Sequence, residues 1–212
     1  MFSINMENVS FKSRINFVNY SAYKRRVNGI YIDFEPIMDC FCKNGKFWTD
    51  NIRTCTAIGL INTDTKEALG VHYHDSEINY KMLEHFLERM FKWINNPNRC
   101  LIIGSKDLKS SEFSIPTFDK IYKILSERIE NMTVFGKHKY SHGQSHIHYN
   151  IDNDAWDICT ENGVFHEDVY DEKTLKNSFQ TIRIADGDSL YINDKQIILP
   201  KENRFQILKP DK

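Results

Sequence analysis

The chain has 212 residues, of which 41% are hydrophobic and 27% charged, with only 9 Gly and 5 Pro; this supports one well-buried core and excludes long disorder. Its 28 Lys and Arg balance 29 Asp and Glu for a net charge of -1, so no general pull toward nucleic acid is expected. No apolar run reaches the roughly 18 residues of a membrane-spanning helix, and the start MFSINMENVSFKSR lacks the basic-then-apolar order of a secretory signal, so a cytoplasmic protein with no membrane partner is expected.

Residues 1–45 are expected to form an N-terminal extension that contacts substrate or a partner. Within them NYSAYKRRVN suits a short helix or an arm, and NGIYIDF pairs a turn signal with alternating Ile30, Ile32 and Phe34, the pattern of a strand. The 5 cysteines fall at 40, 42, 55, 100 and 159, an odd set without repeated spacing in a chain too large to need a disulfide frame, so reduced thiols are expected. Cys40 and Cys42 are separated by one residue, shorter than the gap that opens structural zinc sites. No metal and no cofactor are expected.

Residues 46–212 are expected to form the main domain. Ala57 to Ile61 is a short apolar run that ends in the polar cluster Asn62 to Lys66, and Ala68 to Tyr73 returns as a second strand, giving a hairpin. Leu83, Phe86, Leu87, Met90 and Ile94 recur at helical spacing in EINYKMLEHFLERMFKWINNPN, which ends before Pro97. RCLIIGS reads as a buried strand. SIPTFDKIYKILSERIENM then carries Phe118, Ile121, Ile124, Leu125 and Ile129 on one side of a helix, with Ser114 expected as N-cap. TVFGK and SHIHYNID are further strands, while Asn162-Gly163 and Asn193-Asp194 mark hairpin turns. The expected class is α+β: a single layered domain with two long helices packed on a mostly antiparallel β-sheet.

Chemistry concentrates in TDNIRTCTAIGLINTDTKEALGVHYHD, residues 49–75. A catalytic cysteine needs a base, a group that orients the base, and donors for the developing oxyanion. Cys55 opens a strand, His72 stands on the returning strand, and Thr49 precedes the cysteine by six residues. Strand pairing can bring the imidazole to the sulfur. His74 shares the face of His72, and His74 or Asp75 could replace Thr49 as the orienting group. Taken singly, each has a plainer explanation, since a cysteine beside an apolar run is more often a small buried hydrophobe.

The arrangement Thr49, Cys55, His72, with its six- and seventeen-residue spacings, resembles the Cys-His-Thr triad of the CheD chemoreceptor glutamine deamidases. RTC and VHYHD are also similar to the protein N-terminal asparagine amidohydrolases, and the likeness continues through LIIGSKDLKS, covering residues 49–160. The sequence departs from CheD where Arg53-Thr54 replaces Gly-Ser and where one glycine, Gly70, stands for two. The resemblance implies a CheD-like fold over residues 46–212. It also implies hydrolysis of a protein Gln or Asn amide by a Cys55 thiolate with His72 as base and Thr49 as orienting residue. Arg53, His74, Asp75 and His146 are expected to contact substrate or orient the base. The same superfamily includes toxins of the cytotoxic necrotizing factor type, which implies a bacterial effector delivered into a host cell as one alternative; the expected partner is a protein substrate.

Two other classes stay open. His138, His142, His146 and His148 cluster in KHKYSHGQSHIHYN, and His146 and His148 share a strand face that could chelate a metal, although a solvated strand face is the commoner outcome. A catalytically inactive CheD-like binding module would keep the fold and use it to hold a partner.

Overall fold

The computed structural model describes residues 13–27, 46–106, 112–138, 143–162, 167–169, 171–198 and 205–207. The strand expected at NGIYIDF, Cys40, Cys42 and His142 lie outside them.

Among the described residues, four helices and two mixed sheets make an α+β fold. The first sheet has seven strands: β1 (Arg14–Phe17), β2 (Lys46–Ile52), β7 (Gly143–Asn150), β8 (Ala155–Asn162), β9 (Glu167–Asp168), β11 (Ser189–Ile192) and β12 (Lys195–Ile197). Its order is β12-β11-β1-β8-β7-β2, with β9 paired to β8. The second has six: β3 (Thr56–Asn62), β4 (Glu67–Tyr73), β5 (Arg99–Lys106), β6 (Asn131–His138), β10 (Phe179–Arg183) and β13 (Phe205–Ile207), in the order β13-β10-β6-β5-β3-β4.

The expectation of a single sheet is therefore corrected, while most strand pairings among the described residues are antiparallel, as expected. There are two sheets, and each is mixed, because β1 runs parallel to both β8 and β11 and β5 runs parallel to β6. The physical cause is visible in β3, whose seven residues are all buried. Ala57 and Ile61 enter a cluster with Phe47, Ile147 and Trp156 of the other sheet, while Ile58 and Leu60 enter one with the helices. A strand covered on both faces reads as a continuous apolar run rather than an alternation.

Helices α2 (Glu77–Trp93) and α3 (Ser114–Ser126) cover the second sheet. Leu83, Phe86, Leu87 and Met90 of α2 and Phe118, Ile121 and Leu125 of α3 bury against Val71, Ile102 and Val134, the stripes expected from the sequence. Helix α1 (Tyr20–Val27) covers the outer face of the first sheet through Tyr23 and Val27, packed with Cys159. The short α4 (Glu172–Ser178) adds Leu175 to the core between the sheets. The layers thus run α1, first sheet, second sheet, α2 with α3.

Part of residues 1–45 belongs inside this architecture. β1 sits between β8 and β11, with Ile15 and Phe17 in the inter-sheet core, so residues 14–27 are a sheet strand and its covering helix rather than an appendage. Ser76 caps α2 by accepting from the Asn79 N–H at 3.2 Å. The N-cap of α3 is Phe113 and not Ser114; the Ser114 hydroxyl donates instead to the Thr54 carbonyl at 2.6 Å, a long-range bond that takes it away from capping. Asn193 and Asp194 both have positive φ, 49° and 65°, the signature of a two-residue type I′ hairpin turn. Asn162 lies within β8, opposite Glu167, and Gly163, the other residue of the expected turn, lies outside the described residues.

Candidate active site

The chain leaves the first sheet at the end of β2, bends through residues 53–55, and enters the second sheet at Thr56. Thr49 and Cys55 thus stand on either side of a crossover that brings facing sheets into contact.

β2 aims Thr49 inward by means of a bulge. Phe47 faces the inter-sheet core and Trp48 packs on the α1 side. Thr49 then faces inward again, while Asp50 bonds Lys24 and His146 on the α1 side. Strict alternation would turn Ile52 outward, yet it is buried in the inter-sheet core. The ladder with β7 accommodates this by a register shift between Thr49 and Ile52. One extra residue on β2 lets both Thr49 and Ile52 face the second sheet.

On the second sheet, β3 and β4 pair with Ala57 opposite His72 and Thr56 opposite Tyr73. Continued one step beyond the ladder, Cys55 falls opposite His74, with His72 as its diagonal neighbour. Alternation puts Cys55, Ala57, His72 and His74 on one face. Ala57, the smallest side chain that face could carry besides glycine, leaves room above it for the two imidazoles.

The Cys55 sulfur lies 3.3 Å from His74 Nδ1 and 3.8 Å from an oxygen of Asp75. His74 stacks on His72 with ring centroids 5.0 Å apart and planes at 23°. His72 Nδ1 lies 2.8 Å from Thr49 Oγ1. In the tautomer in which Nδ1–H donates to that hydroxyl, Nε2 carries a lone pair. Nε2 is buried and has no hydrogen-bond partner among the described residues, while Cys55, His72 and His74 each present a ligand-type atom within 4.8 Å of the others. Cys55 is 9% exposed and His72 8%, whereas His74 is open to solvent.

Burial raises the Cys55 pKa, but the His72 and His74 imidazoles beside the sulfur outweigh it and bring the thiol from 9.0 down to about 7. Cys100, buried with no such neighbours among the causes of its shift, is pushed up by desolvation alone. The same residue type thus behaves in opposite ways at two places in one sheet.

Behind the sulfur, the bend is held from three sides. The Thr54 hydroxyl donates to Asp75 at 2.7 Å, and Ser114 at the start of α3 binds the Thr54 carbonyl at 2.6 Å. Gly104 of β5 adopts φ +128°, and a Cβ there would fall against the Cys55 carbonyl and Ile52. Only glycine suits both the dihedral and the approach.

Of the residues singled out from the sequence, Thr49, Cys55, His72, His74 and Asp75 come together. Asp75 binds the Thr54 hydroxyl rather than His72, and the hydroxyl beside His72 Nδ1 is that of Thr49. Arg53 is exposed in the bend. His146 lies elsewhere, under α1, 2% exposed, where it meets Asp50 at 3.1 Å and packs on Tyr20 and Tyr23. His148 shares that face, 4% exposed and 3.2 Å from Asp157. The expectation of a solvated face is overturned because α1 covers it, and each histidine answers to its own carboxylate.

The part played by Ser114 was not foreseen, since its bond spans sixty residues of sequence. The direct approach of His74 follows from the hairpin register, which places it opposite Cys55 and which the sequence does not fix. In comparisons with known proteins, no family model matches the chain and no curated protein matches it.

Proposed function

We propose that this protein is a cysteine-dependent amidohydrolase that converts a Gln or Asn side-chain amide of a protein substrate to the acid, a divergent member of the CheD-like deamidase superfamily. One observation carries the reading: the Cys55 sulfur lies against two imidazoles, one of which, His72, is held by Thr49 Oγ1 at 2.8 Å. Nucleophile, base and orienting group are the three parts that thiol catalysis requires.

In this mechanism the Cys55 thiolate attacks the carboxamide carbon. His72, protonated, gives its proton to the departing nitrogen, and ammonia leaves with formation of a thioester. Water then adds to the thioester with neutral His72 as base, releasing the carboxylate and restoring the thiol. We assign the base role to His72 because it is buried, oriented by Thr49 and presents an Nε2 with no hydrogen-bond partner among the described residues. His74 steadies the thiolate from the solvent side. Delivery into a host cell, as in the toxins of this superfamily, is a further extension of the same reading.

The test is intact-protein mass spectrometry of candidate target proteins incubated with wild type and with Cys55→Ala. Conversion of one amide to an acid adds about 1 Da, accompanied by release of one ammonia. Turnover by wild type and none by Cys55→Ala is expected; equal turnover by both rules the assignment out. His72→Ala should lower the rate by roughly 10²–10⁴, and Thr49→Ala by less, since an orienting group contributes less than the base itself.

A further inference from the structure

We propose that Cys55, His72 and His74 form a binding site for one soft divalent transition-metal ion, Zn²⁺ by its ligand set, and that the bound ion blocks the thiol. One thiolate sulfur and two imidazole nitrogens are a donor set suited to such an ion and unsuited to Mg²⁺ or Ca²⁺, which take oxygen. The inference goes beyond the amidohydrolase reading and stands on the three side chains alone.

The geometry is close to what a metal requires. With Zn–S and Zn–N bonds of about 2.0–2.3 Å, tetrahedral neighbours sit roughly 3.3–3.8 Å apart. The pair Cys55 Sγ and His74 Nδ1 is at 3.3 Å, and all three ligand atoms fall within 4.8 Å of one another. Closing the remaining gap needs a movement of about 1 Å, within reach of a small side-chain rotation.

His72 supplies the second, independent observation. It is more than nine-tenths buried, its Nδ1 is engaged by Thr49, and its Nε2 has no partner among the described residues. A buried nitrogen left unpaired carries a desolvation penalty that a metal would relieve. Metal-ligating histidines commonly donate their second N–H to an oxygen, and Thr49 Oγ1 provides one. Asp75, 3.8 Å from the sulfur, adds negative charge beside the site while accepting from Thr54. The exposure of His74 gives the ion a way in, and water completes the fourth position.

A metal held in this way occupies the Cys55 lone pair and both imidazoles, and the thiol proton passes to solvent on binding. Metal binding and nucleophilic attack therefore exclude each other.

The full chain, freed of metal with a chelator, is titrated with Co²⁺ as a spectroscopic stand-in. The expected result is a thiolate-to-cobalt charge-transfer band that saturates at one equivalent and disappears on addition of Zn²⁺. Cys55→Ser should abolish the band, and His74→Ala, a change at an exposed position, should weaken binding by at least about tenfold. Zn²⁺ at one equivalent should also protect Cys55 from iodoacetamide. Absence of the band in wild type, its survival in Cys55→Ser, or unprotected Cys55 at saturating Zn²⁺ each overturns the site. Failure of metal-free protein to deamidate any target would count against the amidohydrolase alone and leave these readouts unchanged.

Discussion

At the scale of single residues, the chemistry rests on a thiol whose ionisation is set by two neighbours. Because the two imidazoles overcome the effect of burial and lower the Cys55 pKa to about 7, about half of it is thiolate at neutral pH. In metal-free buffer, iodoacetamide should label Cys55 with a rate that rises through a midpoint near pH 7, while Cys100 and Cys159, both buried, stay unreactive in the folded protein. His72→Ala removes a group that favours the thiolate, so the midpoint should move up toward 9.0, the ordinary cysteine value; peptide mapping of the alkylated protein at several pH values reads it. An unmoved midpoint would assign the depressed pKa to His74. That His72 and His74 share a face was legible from strand alternation. Which imidazole touches the sulfur was not, since that depends on hairpin register, and a five-residue polar connection does not fix register.

Among the elements, the amphipathic helices were the most legible, because Leu83, Phe86, Leu87 and Met90 declare a buried stripe whatever lies beneath it. The pairing of β1 with β8 and β11 was not legible: four residues, RINF, hold no trace of partners more than 140 positions away. The doubly buried run of β3 did hold a sign of two layers, in the absence of polar alternation. Its central glycine shows how closely the layers meet. Gly59 stands opposite Gly70 in the hairpin, and a Cβ on Gly59 would fall inside the Trp156 ring of the facing sheet. Gly59→Ala should therefore overpack the inter-sheet core and cost roughly 1–3 kcal/mol, measured by urea denaturation. Since Thr49 comes from one sheet and His72 from the other, the same variant should part them and slow Cys55 labelling at pH 7 even while the protein remains folded. A variant as stable and as reactive as wild type would show that the sheets yield without disturbing the contact between Thr49 and His72.

For the whole molecule, β2 is the strand that joins the Cys55–His72 cluster to the outer layer. Its inner face carries Thr49 to His72, and its outer face carries Asp50 to α1 and β7, where Lys24 and His146 meet the carboxylate at 2.7 and 3.1 Å. Burial raises the Asp50 pKa, but these two partners prevail and hold it at about 2, against 3.8 unperturbed. A carboxyl with a lowered folded-state pKa stabilises the fold above its unfolded value, and that contribution fades as pH falls between the two. The shift corresponds to on the order of 2 kcal/mol. Asp50→Asn should therefore be less stable than wild type by about that amount at neutral pH. The gap should begin to narrow below pH 3.8 and close near pH about 2. Chemical denaturation of both proteins across this range measures it, and a gap that persists to the acid end would mean that Asp50 stabilises by packing rather than by charge. Because the Asp50 clamp lies on the side of β2 away from the thiol, the alkylation midpoint of Cys55 should stay near 7 in Asp50→Asn at neutral pH. Movement of that midpoint would instead couple α1 to the Cys55 cluster through the bulge between Thr49 and Ile52.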